Sequence, residues 1–298
     1  MNLKVILKTM RPNQWTKNFL LFAGIIFSQN ISNIPMLLHA ISGFILFCLI
    51  SSAVYIINDI NDVEKDKAHP IKRFRPIPAG LISIKFAIIL ATFLAIISIA
   101  LSFFINKSFG MYALVYFIMM VCYSIILKQV VILDILIIAI GFVIRASAGI
   151  EAIRYLGQDV PISPWFIACT LFLALFIAIC KRRHELFLLN NNAIEHRKVL
   201  EEYSPEFINQ MVSVSTSATV ISYALYTITG TKFGSEKMVM TIPFVLYGVF
   251  RYLYLVYKKD EGGAPDVLIF KDKYLVINVL LWLITVCIIL YPQIVMCK

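Results

Sequence analysis

The strongest constraint on this 298-residue chain is the recurrence of apolar runs about twenty residues long, separated by short charged breaks. A helix of ~20 residues crosses ~30 Å of hydrocarbon. Inside a bilayer the backbone must satisfy its own hydrogen bonds, so such runs become helices. They fall at roughly 14–29, 36–57, 83–105, 109–127, 131–150, 164–184, 208–229, 238–257 and 274–296. The expected fold is therefore an all-α polytopic membrane protein, one domain over residues 1–298, with nine transmembrane helices and capping loops. Composition agrees: 60% of residues are hydrophobic and 15% charged, against roughly 25% charged in a soluble domain. No small-residue cleavage site follows the basic start, so no signal peptide is expected. The six cysteines are scattered without a C-x-x-C pair, which argues against a disulfide framework or a zinc site.

Charge placement orients the bundle. With the amino terminus cytoplasmic, 20 Lys and Arg fall in inner breaks and 5 in outer ones, while Arg145 and Arg251 lie inside spans. The positive-inside rule then predicts a cytoplasmic-membrane protein with an inner amino terminus and an outer carboxyl terminus. The two longest breaks, 58–82 and 185–207, are both inner and highly charged. Loops that long are usually functional, which puts the chemistry on the cytoplasmic face.

The first of these breaks begins NDINDVEKDKAHPIKRFRPIPAG, Asn58 to Gly80. Asp59, Asp62 and Asp66 are spaced by three and four residues, so a helix continuing through them would present all three on one face. Oxygen ligands of this kind suit Mg²⁺, which it usually shares with substrate phosphates. Asn58 is their polar neighbour. The basic half supplies Lys72, Arg73 and Arg75 as phosphate clamps, Arg acting bidentately. Its His-Pro and Arg-Pro steps restrict the loop. The plain alternative is a solvated loop, which has no need of carboxylates at helical spacing ahead of a proline-ordered basic tail.

Further candidates line the same face. RPNQWTKN, Arg11 to Asn18, reads either as an interfacial anchor built on Trp15 or as the mouth of an anion site using Lys17 and Asn18. KRRHE, Lys181 to Glu185, brings Lys181, Arg182 and Glu185 together at a span end. There Glu185 either ligands a second metal or holds Lys181. The following HRKVLEEY, with Arg197, Lys198 and Tyr203, reads as an interfacial helix over the site. Lys128 and Asp134 either pair with each other or leave Lys128 for a phosphate. Arg145, deep in a span, is expected to be structural, with Glu151 as partner. Arg251 needs an anion facing the bundle interior. Gly262–Gly263 reads as a flexible pair beside Asp266 and Asp272, either of which could reach the site.

Asn58 to Asp66 matches N-D-x-x-D-x-x-x-D at every fixed position, and at the cytoplasmic end of the second of nine helices it resembles the UbiA superfamily of intramembrane prenyltransferases. In that superfamily the motif binds Mg²⁺ and a diphosphate. RPNQWTKN, HPIKRFRPIPAG, GFVIRASAG and YGVFRYLYLV together resemble a narrower branch, the decaprenyl-phosphate phosphoribosyltransferases, which make the precursor of arabinofuranosyl donors. KRRHE stands where typical members carry a second motif, D-x-x-x-D. That departure suits a donor with an extra 5-phosphate and a lipid phosphate acceptor.

The resemblance implies transfer of 5-phosphoribosyl from 5-phosphoribosyl 1-diphosphate to a polyprenyl phosphate, with Mg²⁺ as cofactor and pyrophosphate as product. Asp59, Asp62 and Asp66 would hold the metal. Lys17, Lys181 and Arg182 are candidates for the lipid phosphate or the 5-phosphate. Membrane lipid and the sugar diphosphate are the expected partners, with no nucleic acid; a homo-oligomer is compatible with such a bundle. The competing readings are a prenyltransferase acting on an aromatic or glycerol-phosphate acceptor, an anion transporter, and a membrane scaffold. The chain shows no convincing internal repeat of the kind transporters often carry. A scaffold leaves the aspartate spacing unexplained.

Overall fold

A computed structural model describes residues 3–154, 160, 163–188, 198–229, 236–259, 261–263 and 265–291. After α1 (Leu3–Thr9) comes a 3₁₀ helix, Pro12–Phe22, which runs into α2 (Ala23–Phe27). The long helices are α3 (Ile34–Asn61), α5 (Ile84–Ile105), α6 (Lys107–Ile125), α7 (Leu133–Arg154), α8 (Pro164–Leu188), α9 (Pro205–Thr229), α10 (Ile242–Lys258) and α12 (Lys273–Leu290). Short helices α4 (Val63–Ala68) and α11 (Pro265–Lys271) lie between them. Among the described residues, eight helices are long and apolar enough to cross a membrane.

The ninth expected span, 14–29, is not a regular α-helix. A 3₁₀ turn rises ~2.0 Å per residue against ~1.5 Å in an α-helix, so Pro12–Phe27 still extends over about 30 Å. Tertiary contacts hold this stretched form. Trp15 donates its indole N–H to Ser52 Oγ on α3 at 3.0 Å, and Ser52 donates to the Met10 carbonyl at 2.9 Å. Trp15 is thus half-buried against α3 and serves as a staple. On the other side, a Cβ built on Gly149 of α7 would sit 2.1 Å from the Leu21 carbonyl oxygen. Only glycine admits the two backbones at that separation.

Sequence pattern decides which faces meet. On α5, Ala87, Ala91, Ala95, Ser98 and Ser102 are buried, and the first three repeat every four residues. Such a small-residue stripe allows close helix approach, and α5 packs on α3. The opposite face, with Ile89, Phe93, Ile96 and Phe104, is exposed as a lipid-facing surface should be. Helix α3 also packs on α6 and α7, α7 passes to α8, α8 to α9, α9 to α10, and α10 to α12. The chain then closes on itself: Tyr291 donates its hydroxyl to the Ile26 carbonyl at 2.7 Å.

Arg145 sits inside this ring with structural partners. Its Nε donates to Asn18 Oδ1 at 2.8 Å, Nη1 to the Gly141 carbonyl at 3.1 Å and Nη2 to the Tyr116 hydroxyl at 2.5 Å. It also lies over the Tyr116 and Phe142 rings. Glu151 is not its partner, contrary to the sequence expectation. Six residues apart on a helix, the two face different ways; Glu151 pairs instead with Arg154, one turn on, at 2.5 Å.

Candidate active site

Helix α3 ends at Asn61, and Asp62 (φ −98°, ψ 9°) is at once its C-cap and the N-cap of α4. The turn hydrogen bonds carry on across this break, from Asp62 N to the Asn58 carbonyl at 3.0 Å and from Asp66 N to the Asp62 carbonyl at 2.8 Å. The three aspartates nevertheless do not share one face as a continuous helix would have placed them. Asp59 and Asp66 are buried, 1% and 3% exposed, and converge. Arg75 Nη1 donates to Asp59 Oδ1 at 3.2 Å and to Asp66 Oδ2 at 2.5 Å. Asp62 turns towards Lys128, whose Nζ lies 2.6 Å from Oδ1.

Arg11 completes the group. It donates to both oxygens of Asp59, through Nη2 to Oδ1 and through Nε to Oδ2 at 3.2 Å. Three carboxylates are thus matched by three cations, and the site is self-neutralised. Arg11 was placed by sequence only among the inner positive charges. No local signal marked it, because a residue before proline ordinarily takes extended backbone, whereas Arg11 is left-handed, φ 54°, ahead of Pro12. Asn58 is half-buried just beneath. Lys17, on the same 3₁₀ helix as Asn18, donates to Gln14 Oε1 at 2.5 Å. Lys72 and Arg73 are exposed in the turn that leads to Arg75, and Arg73 lies over the Phe74 ring.

A hard cation fits the donor chemistry, because two buried carboxylates already converge on a single positively charged atom. Asp59 and Asp66 are the residues that would hold such an ion. Among the described residues no three acidic, His or Cys side chains gather into a ready metal site. Asp62 is the one turned away, drawn off by Lys128. The Lys128–Asp134 pairing weighed from sequence does not form. Lys128 lies in the 3₁₀ turn Leu127–Gln129 and faces α3, whereas Asp134, in the first turn of α7, faces α8.

The second charged cluster braces α7, α8 and the following loop. Arg182, buried, brings Nε to 2.9 Å from Asp134 Oδ2 and also pairs with Glu185. The Nε–Oδ2 contact is an ion pair whose N–H is not aimed at the oxygen, and neither atom has another hydrogen-bond partner. Tyr203 donates to Asp134 Oδ1 at 2.7 Å and accepts from Ile132 N at 2.8 Å. Burial first, then its bond to the Asp134 carboxylate, push the Tyr203 phenol well above its ordinary range. It is a neutral donor near pH 7 and no base. Glu185 holds Arg182, and Lys181 is half-buried beside them. Residues 189–197, with Arg197 and much of the expected cap, lie outside the described residues.

Arg251 finds its anion within the chain. Its Nη2 is 2.8 Å from Asp272 Oδ2 and its guanidinium lies over Tyr254 and Tyr274. Asp272 also caps α12 by accepting from Leu275 N at 2.9 Å. Arg251 therefore ties α10 to α12. The Gly262–Gly263 pair is not there for flexibility alone: a Cβ on Gly263 would lie 2.6 Å from His184 Cδ2.

Fold and site together define an intramembrane transferase with a carboxylate-rich end. The UbiA prenyltransferase family model matches residues 19–273, and the chain belongs to that family. A step further in, it is 33% identical to the decaprenyl-phosphate phosphoribosyltransferase of Mycolicibacterium smegmatis, covering 94% of this chain and 91% of that protein. It is 32% identical to the enzyme of the same name from Mycobacterium tuberculosis, covering 94% and 92%. Among solved structures, a UbiA homolog from Archaeoglobus fulgidus bound to GPP and Mg²⁺ superposes with a TM-score of 0.72 at 21% identity, covering 95% of this chain and 98% of that one.

Proposed function

We propose that this transferase moves the 5-phosphoribosyl group from 5-phosphoribosyl 1-diphosphate to the phosphate of a decaprenyl-type polyprenyl lipid, releasing pyrophosphate in a Mg²⁺-dependent reaction. The observation that carries it is the convergence of Asp59 and Asp66 on one cationic atom, with Arg11 and Lys128 pressed against the same acidic group. The choice of a sugar donor is supported by relatives of that name along 94% of the chain. Lys181, at the head of KRRHE, supports it too.

Asp59 and Asp66, joined by Asp62 once Lys128 releases it, would hold the metal, which would supply charge neutralisation to the leaving diphosphate. Arg11, Arg75 and Lys128, now paired to carboxylates, would turn to phosphate oxygens, where arginine offers a bidentate fork. Lys17, Lys72 and Arg73 are further candidates for phosphate oxygens, and Lys181 is the candidate for a second phosphate once Arg182 is counted as a brace. The bond from C1 to the diphosphate breaks, the electron pair leaving with pyrophosphate. A new bond forms from C1 to an oxygen of the lipid phosphate. That phosphate is anionic at neutral pH, so no strong base is needed, and the neutral Tyr203 is consistent with this. The excess of basic residues around this end supports a cytoplasmic site.

The test is transfer of radiolabel from phosphoribosyl diphosphate into organic-soluble lipid by the purified protein with decaprenyl phosphate. Label should enter the lipid with Mg²⁺ and not with EDTA. Label that stays in the aqueous phase under both conditions contradicts the proposal.

A further inference from the structure

Arg183 points away from the carboxylate end of α7 that its neighbour Arg182 grips. It is 8% exposed, yet no carboxylate lies within ion-pair distance among the described residues. Its guanidinium is sandwiched between the rings of Phe187, 4.4 Å away, and Tyr257, 3.8 Å away. Nε donates to Asn209 Oδ1 at 2.9 Å, and the Tyr257 hydroxyl donates to the same oxygen at 2.9 Å. Three helices, α8, α9 and α10, thus build a cage for one arginine, which also hydrogen-bonds to the Tyr257 side chain and has no carboxylate partner among the described residues.

A guanidinium stays charged at every relevant pH, and a largely desolvated charge without a counterion is costly. Arg145 has no carboxylate either, but all three of its nitrogens reach oxygens inside the bundle. Arg183 has only the neutral side chains of Asn209 and Tyr257, at a rim that is open. The nearest acidic residue along α9, Glu206, is exposed and makes no ion pair with it. Lys258 and Lys259, just after Tyr257, are exposed and add positive charge. The cage rim, Phe187 at 38% and Tyr257 at 41%, is open. Deeper along the same helices Leu173 and Val214 are exposed and apolar. An anion with apolar chains beneath it fits this layout, and basic pockets between helix ends at a charged leaflet bind such headgroups.

We propose that Arg183, Asn209 and Tyr257 form a site for the phosphate of an anionic bilayer phospholipid, separate from the carboxylate site and independent of which donor that site takes. The experiment is native mass spectrometry of the full chain in detergent, titrated with phosphatidylglycerol and with phosphatidylcholine. The wild type should prefer phosphatidylglycerol by about fivefold or more, the worth of one basic side chain at an anionic leaflet. Arg183→Gln should bring the ratio near one, while Arg183→Lys, which keeps charge but not the fork, should retain part of it. Equal binding of the two lipids by the wild type overturns the proposal without recourse to any variant. So does a preference unchanged in Arg183→Gln, or displacement of the bound phosphatidylglycerol by equimolar decaprenyl phosphate, which would assign the cage to the acceptor.

Discussion

Arg11 adopts a left-handed backbone, which for a non-glycine residue costs about 1–3 kcal/mol and recurs at functional sites. Its double contact with the buried Asp59 offsets that cost, so the residue is held by the site it serves. Arg11→Gln should lower turnover at least tenfold in a pyrophosphate-release assay, because Asp59 then keeps only Arg75. Asp59→Asn should abolish turnover while the protein stays folded in detergent; retained activity would refute the metal assignment. On α12, the Arg251 hydrogen bond holds the Asp272 carboxyl below its usual range, with burial opposing. A depressed carboxyl stabilises the fold above its unfolded pKa and loses that contribution as pH falls through its folded value. The melting temperature of the wild type should therefore drop below about pH 4 more steeply than that of Asp272→Asn. Parallel curves would remove Asp272 from the stability of α10 and α12.

Hydropathy located the long helices because lipid rewards little else over twenty residues, and eight of the expected spans are regular. The first, 14–29, is helical but largely 3₁₀, for a physical reason. Its 3₁₀ geometry comes from distant contacts, the Trp15–Ser52 bond and the Gly149 backbone approach, which leave no local periodicity. Gly149→Ala should cost about 1–3 kcal/mol through overpacking, read as a lower melting temperature. It should also lower activity, because Leu21 leads directly back to Lys17 and Arg11. Arg145→Ala removes three internal hydrogen bonds from the same junction and should reduce thermal stability more than it reduces kcat. Pairings were the least legible level. Asp59, Asp62 and Asp66 were visible as a motif, but the kink at Asp62 and the choice of Lys128 for Asp62 depend on how α3 and α6 meet. The same holds for Asp134, whose partner Arg182 comes from another helix.

The molecule as a whole is a helix ring most of whose described ion pairs lie in the inner breaks and span ends, among them Asp62–Lys128 and Asp134–Arg182, with Arg183–Asn209 beside them. That asymmetry predicts sidedness. In a cysteine-free background, Lys67→Cys on the exposed α4 should react with an impermeant thiol reagent in inverted membrane vesicles and not in intact cells. The reverse pattern would turn the molecule over. The central claim concerns the donor, and the most direct measurement sets two donors side by side. Purified protein with Mg²⁺ receives phosphoribosyl diphosphate with decaprenyl phosphate in one reaction and geranylgeranyl diphosphate with a glycerol-phosphate acceptor in the other. Pyrophosphate released only in the first, and lost in Asp59→Asn, is the predicted result; release only in the second would make this chain a prenyltransferase and contradict the proposed reaction.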